Sequence, residues 1–394
     1  MAALDGMRVL DVTQYESGTS CTQQLAWMGA DVVKVEPPSG DPGRLIAPDE
    51  QGHSQYFFNF NSNKRSVSID LSSADGRRLL LDMAPHYHVF VENYGPGVIE
   101  RFDLGYEVFR AVNPGIIYAR IKGFGTWGPY SDYNVYDWVA QAAGGTFSVT
   151  GERDGPPVMI QPTFADSGTG LQAALAIVGA YVKQLRTGEG EQIDLSMQEA
   201  VTFFMKTVGI ATWGQRAPRR LGNRRGAPSG IYPCRGDGPN DYVFIFMNTS
   251  DQWDTLCSKI GHPEFTTDPR FADPGERQRN QEELYRVVGD WMASRTKYEV
   301  MHELAEAGVP CSAILDPVEL HTDPHLVERG LVHSVEHPTA GEVRLFRNPP
   351  LTHGSQVPLG PAPLLGQHTD EVLISDLSLD RTALAGLRQD RTIV

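Results

Sequence analysis

Strands and helices alternate along the first third of the chain, and this alternation limits the possible folds more than any other feature. Residues 7–12 (MRVLDV) and 31–36 (DVVKVE) are short apolar runs typical of buried strands, and residues 19–29 between them have helical spacing. Two strands joined by a helix within about 30 residues lie parallel, because the crossover returns the chain in the same direction. We therefore predict a parallel sheet covered by helices.

The alternation continues to residue 121. Segments with strand and helix patterns follow one another at 66–71, 74–84, 88–92, 97–102 and 116–121. The predicted fold class is α/β, with a doubly wound sheet over roughly the first 125 residues. Ligands of such sheets bind at the carboxyl ends of the strands. The chain places polar loops at those ends, at 13–18, 92–97 and 122–125.

The pattern changes in the second half of the chain. An apolar helix is predicted at 171–185, and a stretch rich in Arg, Gly and Pro follows at 214–238. Beyond it, a strand pattern at 241–247 precedes several helix patterns. We predict a linker at 206–225 and a smaller α/β domain at 226–325.

Composition and charge exclude several classes of protein. The 394 residues are 40% hydrophobic, which is ample for a core and unlike a disordered chain. The net charge of -15, from 34 basic and 49 acidic residues, argues against nucleic acid or an anionic membrane as a partner. Asp5, Arg8 and Asp11 interrupt the apolar run that a signal peptide would need, so we expect none. No apolar run elsewhere is long enough to span a membrane. Four scattered cysteines fit reduced thiols, so we expect a cytoplasmic protein.

Asp166 stands out as a candidate catalytic residue, although its position has two interpretations. It precedes the predicted apolar helix in the segment 162–170 (PTFADSGTG). An aspartate at such a position often caps the helix by accepting hydrogen bonds from backbone N–H groups. The same helix terminus also favours an ionised, nucleophilic carboxylate, and Gly168 and Gly170 would let a substrate approach the backbone closely.

Other polar residues carry weaker signals. His86 and His88 alternate on a predicted strand, but no third ligand has suitable spacing, so we predict no metal site. The chain has no GxSxG elbow with a matching acid and base, which leaves little support for a serine hydrolase. None of the glycine-containing loops has the dinucleotide or triphosphate-binding pattern.

Eight motifs nevertheless form an ordered series along the chain. They are LDGMRVLDVT (4–13), GADVVKVEPP (29–38), NKRS (63–66), VENYGPG (91–97), GFG (123–125), YDWVAQA (136–142), RTGEG (186–190) and PLLGQHTD (363–370). Together they resemble the class III CoA-transferase family, the carnitine and bile-acid-inducible family. Within that family the stretch 136–170 is most similar to formyl-CoA transferase.

The resemblance implies a fold, an assembly and a nucleophile. Both chain ends, 1–205 and 326–394, would form the large doubly wound domain, with the smaller domain inserted between them. Two such chains would interlock as a homodimer. Asp166 falls on the position of the family's nucleophilic aspartate. Acyl-CoA and a carboxylic acid would be the substrates, with no tightly bound cofactor and no metal.

The resemblance also implies which residues contact CoA or the acyl group. They are Glu16, Ser17, Ile69, Ser72, Asn93, Tyr94, Arg101, Tyr136 and Asp137. Tyr56 matches a further aromatic residue of the active site. Basic CoA contacts of the family are replaced here by Pro37, Ser72 and Asn134, so the CoA phosphates need other partners, for which Lys64 and Arg65 are candidates. The segment 224–230 is a candidate for the loop that covers the site.

Two positions bear on the reaction. Racemases of the family have a histidine where Tyr136 stands, and a phenol, which ordinarily ionises at roughly pH 10, is a poor base at neutral pH. Glu16 stands where formyl-CoA transferase has a glutamine that contacts the acceptor carboxylate. An ionised Glu16 would repel oxalate, which argues against formyl and oxalyl substrates.

We therefore predict a CoA-transferase that moves CoA from an acyl-CoA donor to a carboxylic acid acceptor through an aspartyl-CoA thioester on Asp166. Backbone amides of Ser17, Gly144 and Gly145 are candidate stabilisers of the oxyanions. Two alternatives stay open: an acyl-CoA racemase or isomerase on the same scaffold, and a non-catalytic acyl-CoA-binding protein. The sequence leaves the donor and acceptor acids open.

Overall fold

The computed structural model describes residues 1–355 and 357–394, and its internal contacts divide the chain into two units. The larger unit comprises Met1–Phe147, Met159–Arg216 and Val327–Val394, and the smaller unit comprises Ser148–Val158 and Ala217–Leu326.

The segment Ser148–Val158 belongs to the smaller unit, although the sequence patterns do not predict this. Gly222 donates a hydrogen bond to the Gly151 carbonyl over 2.9 Å, and the Arg220 side chain donates to the Glu152 carbonyl over 3.2 Å. Such contacts between distant segments leave no periodic signal in the sequence.

Strands and helices are numbered in chain order. The strands are β1 (Arg8–Asp11), β2 (Asp31–Glu36), β3 (Arg65–Ser68), β4 (Val89–Glu92), β5 (Ile117–Lys122), β6 (Glu191–Ser196), β7 (Gly230–Pro233), β8 (Tyr242–Ile245), β9 (Cys311–Ala313), β10 (Val332–His337) and β11 (Gly341–Phe346). The helices are α1 (Ser17–Trp27), α2 (Gln55–Asn61), α3 (Ala74–Met83), α4 (Val98–Arg101), α5 (Tyr106–Val112), α6 (Asp137–Ala143), α7 (Thr146–Val149), α8 (Phe164–Thr187), α9 (Met197–Phe204), α10 (Ser250–Lys259), α11 (Pro274–Arg279), α12 (Gln281–Ala293), α13 (Lys297–Ala305), α14 (Pro317–Leu320), α15 (Pro324–Glu328), α16 (Thr369–Leu377) and α17 (Arg381–Gln389).

The larger unit is built on a six-stranded sheet with the order β3-β2-β1-β4-β5-β6, and all neighbouring strands are parallel. This is the strand order of doubly wound folds, in which the chain runs outward from β1 in both directions. Val9 on β1 pairs with Val32 on one side and Val89 on the other, and all three side chains are buried. The prediction of an α/β fold with a parallel sheet is confirmed.

Helices cover both faces of this sheet. One apolar cluster contains Leu25 of α1 and Ile177 of α8, and a second cluster contains Leu79 of α3 and Phe109 of α5. The C-terminal segment completes the second cluster with the side chains Val372, Leu373, Leu384 and Ile393.

The end of the chain also pairs with the end of β3. Ile393 forms an antiparallel bridge with Ile69, and the Asp70 amide donates to the Thr392 carbonyl over 2.8 Å. Residues more than 300 positions apart therefore meet at this edge of the sheet.

Helices α1 and α8 pack unusually closely at Gly170. A Cβ atom at this position would lie 2.7 Å from the Ser17 carbonyl oxygen, 2.9 Å from the Cys21 nitrogen and 2.0 Å from the Ser20 hydroxyl oxygen. Two of these neighbours are backbone atoms, so only glycine fits. Gly168, one half-turn earlier, faces the Phe204 ring. The expectation that both glycines admit substrate is therefore wrong, because protein atoms already occupy the space beside them.

The smaller unit contains a three-stranded antiparallel sheet in the order β7-β8-β9. Its core includes Trp253 of α10, Val288 of α12 and Val300 of α13. The hairpin β10–β11 belongs to the larger unit. Across residues 1–355 and 357–394, no helix has the length and apolar character needed to cross a membrane.

Gly170→Ala should lower the free energy of unfolding by ~1–3 kcal/mol, because the added methyl group forces α1 and α8 apart. Urea denaturation followed by circular dichroism measures the change. Gly386→Ala in α17 is the matched control: among the described residues, apart from the adjoining backbone of its own helix, no atom lies within 4 Å of the added Cβ. This variant should be stabilised by up to ~1 kcal/mol, because alanine favours the helix. Equal stability of Gly170→Ala and wild type would contradict the packing argument.

Candidate functional site

A cavity of about 210 Å³ lies in the larger unit, at the carboxyl ends of β1, β4 and β5. Loops that follow these three strands supply much of its wall, as the parallel sheet predicts. The lining residues are Gln14, Tyr15, Glu16, Ser17, Asn93, Tyr94, Gly95, Pro96, Ile121, Lys122, Gly123, Tyr133, Asn134, Val135, Tyr136, Asp166 and Met197.

Buried ion pairs fix the turn between β1 and α1. The Asp11 carboxylate accepts a hydrogen bond from the Thr13 amide over 2.9 Å and pairs with Lys64 over 3.0 Å. Lys34 donates to the Thr13 carbonyl over 2.8 Å and pairs with Asp41 over 2.6 Å. All four charged side chains are buried. Removing one partner would leave an uncompensated buried charge, so these pairs hold the turn in one conformation.

This turn directs Glu16 towards α8. Tyr15 has a left-handed backbone with φ 58°, and its amide donates to the Asp41 carboxylate over 3.2 Å. A non-glycine residue in this region is strained, and such strain is common at functional sites. Glu16 follows with only 1% of its surface exposed. Its Oε1 atom accepts hydrogen bonds from Thr163 Oγ1 over 2.7 Å and from Ser167 Oγ over 2.6 Å.

Asp166 lies in the first turn of α8, but it does not cap the helix. The helix begins at Phe164, seven residues before the predicted start, and Thr163 is the N-cap residue. The Asp166 amide donates to Asp137 Oδ2 over 3.0 Å, so Asp137 binds the helix terminus from α6. The capping interpretation of Asp166 is therefore wrong. Within the described residues, no side chain donates a hydrogen bond to the Asp166 carboxylate, which faces the cavity.

Three carboxyl groups meet at this point, and burial together with the neighbouring charges raises the pKa of two of them, Asp166 and Glu16. Burial raises the pKa of Asp166 to about 8, and the negative charges of Glu16 and Asp137 contribute to the rise. Burial also raises the pKa of Glu16 to about 7, with Asp137 adding to it, although hydrogen bonds from Ser167, Thr163 and Tyr56 oppose the rise. Such neighbouring acids titrate as a coupled group. The site therefore binds protons close to neutral pH.

Five of the residues expected to contact CoA or substrate line the cavity: Glu16, Ser17, Asn93, Tyr94 and Tyr136. Asn93 joins two loops, because its side chain accepts from the Gln14 amide and donates to the Gln14 carbonyl, both over 2.8 Å. It also donates to Ser17 Oγ over 3.1 Å. The Tyr136 ring is exposed and meets Tyr15 edge to face, with 6.2 Å between ring centroids.

The other four expected contacts lie outside the cavity wall. Asp137 is buried and reaches the site through the Asp166 amide. The Ile69 side chain belongs to the core. Ser72 is exposed, and its hydroxyl donates to Asp70 over 2.6 Å. Arg101 is exposed at the end of α4.

Lys64 and Arg65 do not fit the suggested role of binding phosphate. Lys64 is fully buried against Asp11, and Arg65 pairs with Asp31 over 2.6 Å and with Glu371 over 2.9 Å. Lys64 is therefore neutralised in the interior, and Arg65 is neutralised by two carboxylates near the surface.

The backbone N–H groups of Gly144 and Gly145, which we expected to stabilise oxyanions, already donate to acceptors within the protein. The amides of Gly144 and Gly145 donate to the carbonyls of Ala140 and Ala142 over 2.8 and 3.2 Å. These bonds end helix α6. The prediction that these two amides face the substrate is wrong for this structure, because the helix terminus uses them.

Sequence reasoning missed Thr163 and Ser167, which bind Glu16. Thr163 stands three positions before Asp166 and Ser167 directly follows it, and both hydroxyl groups donate to the Glu16 carboxyl group. Their spacing of four would have been a signal had the helix start been placed correctly. In the described part of the chain, no group of three or more potential metal ligands clusters together.

The fold and the cavity are those of an α/β enzyme that binds its substrate at the carboxyl ends of the strands. The chain belongs to CoA-transferase family III, whose family model matches residues 4–369. It is thus a transferase, and enzymes of this class act on CoA thioesters.

Individual relatives cover nearly the whole chain. A formyl-CoA:oxalate CoA-transferase of Streptomyces avermitilis is 37% identical over 99% of both chains, and one of Rhodopseudomonas palustris is 39% identical over 94% of this chain and 92% of the relative. Among solved structures, a CaiB/BaiF family protein from Brucella suis aligns with a TM-score of 0.86 and 30% identity, covering 95% of this chain and 99% of the other. A hypothetical protein from Mycobacterium tuberculosis aligns with a TM-score of 0.81 and 28% identity, over 95% and 99% of the two chains.

Glu16→Gln should move the pH dependence of catalysis to lower pH. If the ionised Asp166 is the reactive form, kcat/KM rises with pH as this carboxyl loses its proton. The variant removes a neighbouring negative charge, which lowers the pKa of Asp166 and shifts the rising limb by roughly one pH unit. The measurement is kcat/KM for CoA transfer between pH 5.5 and 9 (roughly one unit beyond the expected transitions).

Glu107→Gln, an exposed acid on α5, serves as the control and should keep the wild-type profile. A Glu16→Gln profile that coincides with wild type would show that Glu16 does not influence the titration of Asp166.

Proposed function

We propose that this enzyme transfers CoA from an acyl-CoA to a carboxylic acid through a covalent thioester on Asp166. The observation that carries the proposal is the position of the Asp166 carboxyl group. It faces the cavity, at the N-terminal turn of α8, free of side-chain hydrogen-bond donors in the described chain. A carboxylate that is not already bound to a donor keeps its lone pairs available for attack.

The reaction proceeds in two symmetrical halves. An oxygen of the Asp166 carboxylate attacks the thioester carbonyl carbon, the C–S bond breaks, and a mixed anhydride and CoA thiolate form. The thiolate then attacks the Asp166 carbonyl carbon, which releases the donor acid as its carboxylate and leaves aspartyl-CoA. The acceptor carboxylate attacks this thioester, and the expelled thiolate attacks the acceptor carbonyl of the new anhydride. The products are the new acyl-CoA and a free Asp166 carboxylate, with no net gain or loss of protons.

The first turn of α1 is the best-placed source of oxyanion stabilisation. Within the described residues no side chain caps the start of helix α1, and Ser17, its first residue, lines the cavity with Asp166. The first N–H groups of a helix have no acceptor within the helix and carry partial positive charge. Preorganised N–H donors of this kind stabilise the negative oxygen that develops during acyl transfer.

We propose small carboxylic acids as the acyl groups. The two curated relatives named above are enzymes for formyl-CoA and oxalate, and the cavity of about 210 Å³ fits acids of that size class. Glu16 lies beside the reacting carboxyl group, so an acceptor carboxylate binds best while Glu16 is neutral. Burial of Glu16, which raises its pKa to about 7, supports this requirement.

Trapping of the covalent intermediate tests the proposal. The enzyme is incubated with a panel of acyl-CoA thioesters that includes formyl-CoA, treated with borohydride, digested and analysed by mass spectrometry. Borohydride reduces an aspartyl thioester to the alcohol, so the peptide with Asp166 should lose the mass of its carbonyl oxygen and gain hydrogen. Asp166→Asn should abolish both the modified peptide and CoA transfer, a fall of at least ~10³-fold.

Asp132→Asn, an exposed aspartate of the same unit, is the control and should keep both signals. Full transfer activity in Asp166→Asn would rule out the mechanism. Exchange of the α-proton of the acyl group without an acceptor acid would instead identify a racemase.

We also propose that the enzyme is a homodimer, with the two units of each chain as its large and small domains. Supporting this, α8 exposes a stripe of apolar side chains: Leu171, Leu175, Val182 and Leu185. Exposed positions of a helix are normally polar, and contiguous apolar surface marks an interaction site.

Leu175→Lys should weaken the dimer by at least ~10-fold in dissociation constant, because it places a charge in the apolar contact. Light scattering coupled to size-exclusion chromatography gives the mass at several protein concentrations. Val318→Lys is the control, since Val318 is exposed to the same degree, 76% against 75% for Leu175, in a different helix. A monomeric wild-type protein would contradict the proposal.

A further inference from the structure

A second cavity, of about 520 Å³, lies entirely within the smaller unit. Its wall comes from the loop 225–229, from the segment 247–254 that begins α10, and from the segment 266–278 that includes α11. None of its lining residues also lines the cavity of Asp166. The reaction proposed above therefore leaves this second cavity without a role.

Arg277 of α11 is a half-buried cation in this wall. Its guanidinium carbon lies 4.6 Å from the centre of the Trp253 ring, and its Nη1 atom donates to the Phe271 carbonyl over 3.0 Å. Among the described residues no carboxylate lies within 4.0 Å of it, and its Nε and Nη2 atoms donate to no protein acceptor. Burial lowers the pKa of Arg277, so the protein compensates this charge only in part.

Two further donors in the same wall have no acceptor in the described part of the chain. Trp253 is 3% exposed, and its indole N–H group is buried without a partner. Ser229 is also buried, and its hydroxyl oxygen accepts from the Met247 amide over 2.9 Å, which leaves the hydroxyl proton for another acceptor. Buried donors are nearly always paired, so three unpaired donors from three segments of one cavity point to a ligand that accepts hydrogen bonds.

The donors belong to a firmly held structure. The Ser229 carbonyl accepts from the Arg225 amide and from the Tyr285 hydroxyl, both over 2.9 Å. The Ala227 amide donates to Gln278 Oε1 over 3.3 Å, which ties the loop to the segment that follows Arg277. Little reorganisation is therefore needed when a ligand enters, and this favours binding.

Charge and polarity narrow the class of ligand. Arg225 and Arg277 supply two positive charges to the wall and Asp254 supplies one negative charge, so a ligand with a single negative charge balances the cavity. The cavity also borders the start of α10, where the partial positive charge of the helix favours an anion. Met247, Pro228 and the Trp253 ring provide apolar surface. The volume lies in the range of sites for small organic molecules.

We propose that the smaller unit binds a monocarboxylic acid with an apolar body, and that its carboxylate accepts from Arg277, Trp253 and Ser229. The Nε and Nη2 donors of an arginine match the two oxygens of a carboxylate. The apolar body then lies against Met247 and Pro228. This site is additional to the Asp166 cavity and does not depend on the chemistry proposed for it.

Fluorine NMR on the full-length protein labelled with 5-fluorotryptophan tests the site directly. The chain has six tryptophans, and Trp253→Phe identifies the signal of Trp253 by its loss. Titration with hexanoate or phenylacetate should shift this signal to saturation, with a dissociation constant of ~10 mM or tighter. Trp291 of the same unit lies outside the wall, so its signal, identified by Trp291→Phe, should stay in place. Hexylamine, a cation of similar shape, should shift neither signal.

Substitutions in α11 and in the loop separate a binding role from a structural one. Arg277→Gln should weaken hexanoate binding by about tenfold or more, because a charge-assisted contact is lost, and Arg277→Lys should recover part of the affinity. Arg279→Gln is the matched control: this exposed arginine of the same helix pairs with Glu276 and lies outside the wall, so binding should stay within about twofold of wild type. An unchanged Trp291 signal reports that each variant is folded.

If Arg277→Gln fails to fold, Arg225→Gln decides the question. The Arg225 side chain is exposed and makes no hydrogen bond or ion pair within the described chain, so its loss should weaken hexanoate binding by about threefold without unfolding the protein. Asp166→Asn should bind hexanoate as the wild type does, because it leaves the second cavity unchanged.

Three results would overturn the proposal. They are the absence of a saturable Trp253 shift with both carboxylates, equal hexanoate affinity in wild type and in the folded arginine variants, and displacement of hexanoate by CoA. The last result would assign this wall to the CoA-transfer site. Failure to trap a thioester on Asp166 would leave the second site unaffected, so the two proposals stand or fall separately.

Discussion

The close contact between α1 and α8 at Gly170 is the constraint on which the site depends. Without a side chain at this position, the backbone of α1 lies directly against α8. Glu16, at the start of α1, then reaches Thr163 and Ser167 at the start of α8, on either side of Asp166. A wider separation of the helices would leave Glu16 buried without its donors, which is costly for a carboxyl group. The close packing at Gly170 therefore also sets the position of Glu16 beside Asp166.

Buried charge has two different uses in this molecule. Around the β1–α1 turn, acids and bases alternate, so each carboxylate has a cation beside it and the backbone is held in a strained conformation. At the site, no cation of the described residues pairs with Glu16, Asp137 or Asp166, and the like charges oppose one another. The first arrangement gives rigidity, and the second gives a carboxylate whose ionisation responds to its surroundings.

The sequence predicts the central strands β1, β2 and β4 well because they are buried on both faces and consist mostly of apolar residues. It misplaces the start of α8, because Gly168 and Gly170 lower the helix propensity of the segment, whereas packing against α1 and Phe204 overrides that propensity. Lys64 shows another limit. A lysine in a polar loop suggests a surface charge, and only the fold shows that it reaches Asp11 in the interior. Asp166 was identified mainly by the resemblance, since a capping aspartate gives the same local pattern.

The last residues of the chain contribute to the core beneath β3, where Val372, Leu373 and Leu384 complete the cluster and Ile393 pairs with Ile69. This arrangement has a consequence for biosynthesis. A ribosome delivers the six strands and then the smaller unit before it delivers the segment that closes the cluster, and domains generally fold as they emerge. The smaller unit is therefore complete while one face of the larger sheet still exposes apolar side chains. Nascent chains of this enzyme therefore expose apolar side chains on this face until residues 372–393 have been synthesised.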